Sequence, residues 1–158
     1  MKKLIAAAAA LTGAYVFLIA PGRADSASKK ALCGKNYAHR GLHTRDRSVP
    51  ENCLSGFAEA VRQGYGIEFD VHITADEQLV VFHDNDVSRM CGCEGVIEQM
   101  TLEEIEKLRL AGTDERIPTF DEVLRLVAGR VPLVIELKDS KNGKNDRLCQ
   151  LVAQRLDD

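Results

Sequence analysis

The sequence lacks several features that mark common functional classes. Its formal net charge is −3 over 158 residues, and no block of lysine and arginine alternates with aromatic residues. Because proteins that bind nucleic acid usually carry a basic surface, we expect no nucleic-acid partner. A hydrophobic fraction of 45% is too high for a disordered chain. We therefore expect one folded domain.

The cysteines also lack a recognisable pattern. There are five of them, an odd number at irregular spacing, whereas disulfide frameworks usually have even numbers and many zinc sites have paired C-x-x-C motifs. One glycine separates Cys91 from Cys93, and such a pair can bind a metal or oxidise. We interpret Cys91 and Cys93 instead as small residues of a loop.

The N-terminal segment differs in composition from the rest of the chain. After Met-Lys-Lys, an uncharged and largely apolar run extends from Leu4 to Ala20, as in a signal peptide or a short membrane anchor. Arg23 interrupts the nearest pattern of small residues that could serve as a cleavage site. We predict that residues 1–23 are an uncleaved membrane anchor and that residues 24–35 are a linker. The following domain is then expected on the extracytoplasmic side.

Strand-like and helix-like segments alternate in the predicted domain, residues 36–158, which indicates a parallel sheet covered by helices. The predicted strands are 35–38, 66–74, 79–84 and 131–138. The predicted helices are 51–64, 101–110, 119–129 and 145–156. Two of them begin with a capping-box pair, Thr101 with Glu104 and Thr119 with Glu122. The link between the second and third strands is too short for a helix, so we expect a hairpin-like or extended connection there.

Polar residues cluster where the predicted strands end. They are His39 and Arg40 after the first strand, Glu68 and Asp70 in the second, His83 and Asp84 in the third, and Glu136 and Lys138 in the fourth. In a β/α barrel the carboxyl ends of the strands share one face, where catalytic groups converge. The pattern therefore predicts one site built from several strands.

Three carboxylates in this set favour a metal site. The two-residue period of a strand puts Glu68, Asp70 and His72 on one face, and carboxylates are costly to bury without a positive partner. Together with Glu136 they form an oxygen-rich set that suits Mg²⁺ or Ca²⁺ better than zinc. We interpret His72 as a packing residue or a support for the ligands.

The remaining groups suit a phosphate ester. Arg40 and Lys138 add positive charge that can hold an anion, and His39 and His83 titrate near neutral pH, as a general acid and base require. We interpret His43 as a solvated loop residue. The combination predicts metal-assisted phosphodiester cleavage.

Five motifs between residues 37 and 139 resemble the glycerophosphodiester phosphodiesterase family. In chain order they are AHRG, PEN, GIEFDVHITADEQLVVFHD, IPTFDEVL and VIELK. The resemblance implies a TIM (β/α)₈ barrel that hydrolyses glycerophosphodiesters to sn-glycerol 3-phosphate and an alcohol with a divalent metal. It also implies the following roles: His39 and His83 as acid and base, Glu68, Asp70 and Glu136 as metal ligands, and Arg40, Glu51 and Lys138 as substrate-binding residues. Glu51 is also explained by its place near the start of a helix, where negative charge is favourable. Membrane-anchored bacterial members of the family likewise begin with an apolar segment.

The chain departs from this family in length. A complete barrel takes about 250 residues, whereas residues 36–158 offer about four strands, so we expect the N-terminal half of a barrel. A fragment of a longer protein or a pair of copies would account for this. Two other functions remain open: a phospholipase D-like lyase on the same barrel that forms a cyclic phosphate, and a non-catalytic membrane-tethered fragment.

Overall fold

The computed structural model describes residues 12, 15, 18, 29, 30 and 32–157. The chain divides into two units, Met1–Gly34 and Lys35–Asp158. The predicted anchor, apart from residues 12, 15 and 18, and half of the predicted linker lie outside the described residues. Within the described residues, no helix has both the length and the apolar character needed to span a membrane.

The second unit alternates strands and helices, as the sequence predicts. The strands are β1 (Tyr37–His39), β2 (Gly66–Ile73), β3 (Leu79–Val81) and β4 (Leu133–Leu137). The α-helices are α1 (Leu54–Gln63), α2 (Ser88–Cys91), α3 (Leu102–Glu106), α4 (Phe120–Val127) and α5 (Asn145–Asp157). The predicted helix over 101–110 is shorter than expected, because the chain leaves the helix after Glu106 and makes a 3₁₀ turn at Leu110–Gly112, where Ala111 has a φ of 51°.

Strand β2 is the centre of the sheet. It pairs in parallel with β1 through residues 66–68 and with β4 through residues 67–71. It pairs antiparallel with β3 through residues 71–73. The prediction of a parallel sheet is therefore wrong for β3, while the hairpin-like link is confirmed. The link is a tight turn in which Thr74 N donates to Gln78 O (2.9 Å) and Gln78 N donates to Thr74 Oγ1 (2.9 Å).

Pairing with β3 also lengthens β2 beyond the two predicted metal ligands. Glu68 and Asp70 were expected near the carboxyl end of their strand, but β2 continues to Ile73. The two carboxylates therefore lie in the middle of β2, on the face opposite Phe69 and Val71. This arrangement agrees with the predicted alternation, because Phe69 and Val71 belong to the hydrophobic core.

The larger hydrophobic cluster lies between the sheet and helices α1, α4 and α5. At its centre, the Phe69 ring lies 5.7 Å from the Phe57 ring and 6.1 Å from the Phe120 ring, centroid to centroid. A second cluster forms under the loops after β3, around the buried residues Phe82 and Ile97. Residues of α2 also pack into this second cluster, which therefore supports the segment that follows His83.

The helix termini follow the predicted signals. Both capping boxes are formed reciprocally, Thr101 with Glu104 and Thr119 with Glu122. Gly64 ends α1 with a φ of 74°, a conformation that glycine adopts without a steric penalty. All five cysteines are free.

We expect Thr119→Ala to destabilise the second unit by about 1 kcal/mol. The substitution removes the hydroxyl that accepts a hydrogen bond from Glu122 N (3.2 Å) and leaves the first turn of α4 without its cap. Urea denaturation of the full chain measures the change. Thr119→Ser keeps the hydroxyl and is the control, so equal losses for both variants would contradict this account.

Candidate active site

The ends of β1 and β3 meet beside the same two residues of β2. Just after β1, Arg40 N donates to Glu68 O (2.8 Å), and just after β3, Phe82 N donates to Asp70 O (3.0 Å). Carbonyl groups two residues apart lie on the same edge of a strand. Because β1 is parallel and β3 antiparallel to β2, the two strands run towards each other along that edge. This geometry brings His39 and His83 to one place although β3 has the unexpected direction.

The three predicted metal ligands lie together. Asp70 and Glu136 are register partners across β2 and β4, and the nearest ligand atoms of Glu68, Asp70 and Glu136 lie within 4.8 Å of one another. The Asp70 side chain is 1% exposed, whereas that of Glu136 is 54% exposed. The cluster thus runs from the interior of the sheet to its surface.

Lys138 and Asn52 stabilise the buried carboxylate. Lys138 Nζ lies 2.8 Å from Asp70 Oδ1 and 2.7 Å from Glu136 Oε1, and Asn52 Nδ2 donates to Asp70 Oδ2 (3.0 Å). Burial raises the pKa of Asp70, but the hydrogen bonds from Lys138 and Asn52 outweigh burial and hold the pKa below its ordinary value. Asp70 is therefore ionised at neutral pH.

This donor set fits a hard divalent cation. All three candidate ligands are carboxylates, and such oxygen donors are preferred by Mg²⁺ and Ca²⁺. One face of the cluster reaches the surface through Glu136, so a cation has access. Within the described residues, no other group of three or more His, Cys, Asp or Glu side chains is close enough to hold a metal ion, and Cys91 and Cys93 take part in none.

Arg40 and Asn52 have left-handed backbone conformations, with φ values of 56° and 55°. Such conformations are costly for residues other than glycine and persist only where surrounding contacts impose them. Here Arg40 N also contacts Glu68 Oε2 (3.2 Å), and Asn52 N donates to Arg40 O (2.9 Å). The sequence analysis missed Asn52, although it is part of the PEN motif. Its amide is what connects that motif to Asp70.

Glu51, which precedes α1 by three residues, holds two guanidinium groups. Arg40 Nη1 lies 3.1 Å and Arg89 Nη2 2.6 Å from Glu51 Oε1. Burial raises the pKa of Glu51, but the hydrogen bond and charge of Arg89, together with Arg40, lower it below its ordinary value. In the structure, Glu51 thus holds Arg40 and Arg89, and its place near the start of a helix does not account for these contacts.

The two candidate acid–base histidines have different surroundings. His39 is 67% exposed, and its Nε2 lies 3.7 Å from Glu68 Oε2. His83 Nδ1 lies 2.6 Å from Asp84 Oδ1. Because an ionised carboxylate only accepts hydrogen bonds, Nδ1 of His83 is the donor in this contact. The sequence analysis treated Asp84 only as the end of a strand.

A cleft of about 480 Å³ lies on the His83 side of the carboxylate cluster, and His39, Arg40, Glu68 and Asp70 are not among its lining residues. His83, Asp84, Glu136 and Lys138 line it together with polar loop residues. Two other histidines do not line this cleft: His72 is buried, with Nε2 3.5 Å from His83 O, and His43 is exposed. The site therefore brings together carboxylates that could hold a cation, basic groups that could hold an anion and histidines that could transfer protons, a combination that suits displacement at a phosphate ester.

Residues 39–157 match the Glycerophosphoryl diester phosphodiesterase family. A glycerophosphodiester phosphodiesterase of Caldanaerobacter subterraneus is 44% identical over 111 residues, which cover 64% of this chain and 44% of that protein. One from Bacillus altitudinis is 36% identical over 115 residues, which cover 67% of this chain and 46% of that protein. The chain spans about half the length of the curated relatives it matches.

Solved structures are likewise similar to this chain over about half of their own length. A phosphodiesterase from Oleispira antarctica, in complex with the product sn-glycerol-3-phosphate, has a TM-score of 0.69 and 29% identity, with 78% of this chain and 51% of that chain covered. A glycerophosphodiester phosphodiesterase from Agrobacterium tumefaciens has a TM-score of 0.61 and 31% identity, with 75% and 53% covered.

These matches confirm the predicted fold. The family has a TIM barrel, and the helix-covered sheet described above corresponds to about half of it. The resemblance predicted from the motifs is confirmed as well, since the matched residues contain all of the candidate site residues. The chain belongs to the glycerophosphoryl diester phosphodiesterase family.

Proposed function

We propose that this chain carries the catalytic half of a metal-dependent enzyme that hydrolyses glycerophosphodiesters to sn-glycerol 3-phosphate and an alcohol. The observation that carries the proposal is the meeting of three carboxylates with Arg40 and Lys138 beside two histidines. Family membership supports the reaction class. The product bound to the Oleispira relative supports glycerol 3-phosphate as the released phosphate.

The carboxylates of Glu68, Asp70 and Glu136 would hold the divalent cation, Mg²⁺ or Ca²⁺. When bound, such a cation supplies Lewis-acid polarisation of a phosphate oxygen. Lys138 already neutralises two of these carboxylates and brings a positive charge to the cleft. Arg40, fixed by Glu51, presents its guanidinium nearby, so Arg40 and Lys138 hold the phosphate between them.

His39 and His83 transfer the protons. One imidazole removes a proton from the attacking water, whose oxygen forms the new bond to phosphorus, and the other protonates the departing alcohol oxygen as its bond to phosphorus breaks. Asp84 supports this role for His83, because it accepts a hydrogen bond from Nδ1 and leaves the other ring nitrogen for proton transfer. Beside His39, Glu68 Oε2 lies 3.7 Å from Nε2, beyond hydrogen-bond distance.

We also propose that residues 1–23 anchor the protein in a membrane, with the enzymatic domain on the extracytoplasmic side. The positive start and the apolar run after it support the anchor. After cell fractionation we expect the full chain in the membrane fraction, resistant to alkaline extraction and digested by protease added to spheroplasts. A chain starting at residue 24 is the control, and recovery of the full chain in the soluble fraction would contradict the anchor.

We expect Glu136→Gln to weaken Mg²⁺ and Ca²⁺ binding by about tenfold or more, because even residues that only support metal ligands contribute on this scale. Glu136 is half exposed, so the fold should tolerate the change. Isothermal titration of the full chain measures the affinity. Glu77→Gln removes a carboxylate of similar exposure, 45% against 54%, outside the cluster and the neighbouring cleft, and is the matched control. Equal affinities for both variants would contradict the assigned metal site.

We expect the full chain with Mg²⁺ or Ca²⁺ to release glycerol 3-phosphate from glycerophosphocholine, and EDTA to abolish release. His39→Ala and His83→Ala should each lower kcat by about 100-fold or more. His43→Ala, which alters an exposed histidine, should not. A cyclic phosphate product would indicate the lyase reaction instead, and absence of any release from the wild-type chain would contradict its proposed activity.

A further inference from the structure

We propose that Arg89 is a positioning residue that fixes the His83 imidazole and the Arg40 guanidinium relative to each other. The roles of these two groups rest on the proposed function. Arg89 lies on the short helix α2, six residues after His83, and it belongs to none of the motifs that indicated the family.

The Arg89 guanidinium joins two carboxylates. Its Nε lies 2.5 Å from Asp84 Oδ2, and its Nη2 and Nη1 lie 2.6 Å and 3.3 Å from the two oxygens of Glu51. Asp84 follows β3, whereas Glu51 precedes α1, and the sequence separation between Arg89 and Glu51 is 38 residues. One side chain therefore connects two segments that the sheet itself does not connect.

Each of these carboxylates also holds a functional group. The second oxygen of Asp84 contacts His83 Nδ1 (2.6 Å), and Glu51 contacts Arg40 Nη1 (3.1 Å). Charged hydrogen bonds of this kind are directional and short. Arg89 consequently restricts how far either carboxylate can rotate, and with it the orientation of the histidine and the arginine.

Both carboxylates are ionised in this arrangement. Burial raises the pKa of Asp84, but Arg89 and His83 outweigh it, and the pKa lies below its ordinary value. Burial also raises the pKa of Glu51, but Arg89 and Arg40 outweigh burial and lower that pKa below its ordinary value. The pKa of Arg89 is raised by its hydrogen bonds to Glu51 and Asp84. All three groups thus keep their charges at neutral pH.

The backbone that carries Arg89 is fixed independently of its side chain. Its neighbours Val87 and Met90 are buried in the second cluster, and Asp86 Oδ1 accepts a hydrogen bond from Ser88 N (3.0 Å). The Arg89 side chain itself is 39% exposed. Substitution of Arg89 should therefore change the contacts to Glu51 and Asp84 without opening the core.

The chemistry of this position requires arginine. A guanidinium presents several donors in one plane and can bind two carboxylates at once, whereas the lysine ammonium is a compact charge on a flexible stem. Arg89→Lys therefore preserves the charge but not the two-sided contact. Arg89→Gln removes both. Arg62→Gln is the matched control, because Arg62 pairs with Glu59 on the exposed side of α1.

The direct test is the protonation of His83 in the full chain without metal, so that it does not depend on activity. At about pH 8, where histidine is mostly neutral, two-bond ¹H–¹⁵N spectra report which ring nitrogen carries the proton, and His83→Gln identifies the signal. We expect the proton on Nδ1 in the wild type and in Arg62→Gln. We expect a mixture of both tautomers in Arg89→Gln and in Arg89→Lys, with unchanged urea midpoints. A wild-type spectrum for either Arg89 variant would overturn the proposal.

Kinetics provide the second readout and separate this proposal from the proposed function. With glycerophosphocholine and Mg²⁺, we expect kcat/KM to fall by about 10- to 100-fold in Arg89→Gln and to stay unchanged in Arg62→Gln. A wild-type chain without activity would contradict the proposed function and leave the spectra as the test of Arg89. An active wild type whose kcat/KM survives the loss of Arg89 would overturn the positioning role.

Discussion

The buried carboxylate of Asp70 is the constraint on which the site depends. A charge in the middle of a sheet is destabilising unless positive groups and hydrogen-bond donors surround it. Lys138 reaches it from the end of β4 and Asn52 from the turn before α1. The parallel pairing of β2 with β4 places Lys138 beside the Asp70 carboxylate, and the left-handed backbone at Asn52 places the Asn52 amide beside it. Without these two contacts, only the Arg40 guanidinium, 3.8 Å away, would face this buried charge among the described residues.

Strand β2 carries both the stability and the chemistry of the described domain. One face places Phe69 against the rings of Phe57 and Phe120, and the other places Glu68 and Asp70 in the site. Packing of the core thus fixes the backbone positions of the carboxylates. Any reaction that depends on the distance between these carboxylates therefore also depends on how the helices pack against the other face of the sheet.

Alternating charges extend from this carboxylate across the site. Arg40 Nε lies 3.8 Å from Asp70 Oδ2, and the Glu51 carboxylate holds Arg40 and Arg89 together. The charged groups of this series are Lys138, Asp70, Arg40, Glu51, Arg89 and Asp84, and Asp84 in turn contacts the His83 ring. Because each charge has an opposite neighbour, the groups hold one another in position before any ligand binds. Such pre-organisation lowers the cost of orienting a substrate.

Local patterns in the sequence determined the strands and most helices, the two faces of β2 and both capping boxes, since each rests on residues a few positions apart. The motifs also contained every proposed metal ligand and both acid–base histidines. Only the tertiary structure showed that β3 runs antiparallel and still delivers His83, and that Asn52 and Arg89 contact the candidate site residues. Asn52 contacts Asp70, and Arg89 contacts Glu51, across 18 and 38 positions of the chain. Contacts at such separations leave no periodic signal in the sequence, because they depend on how the segments pack.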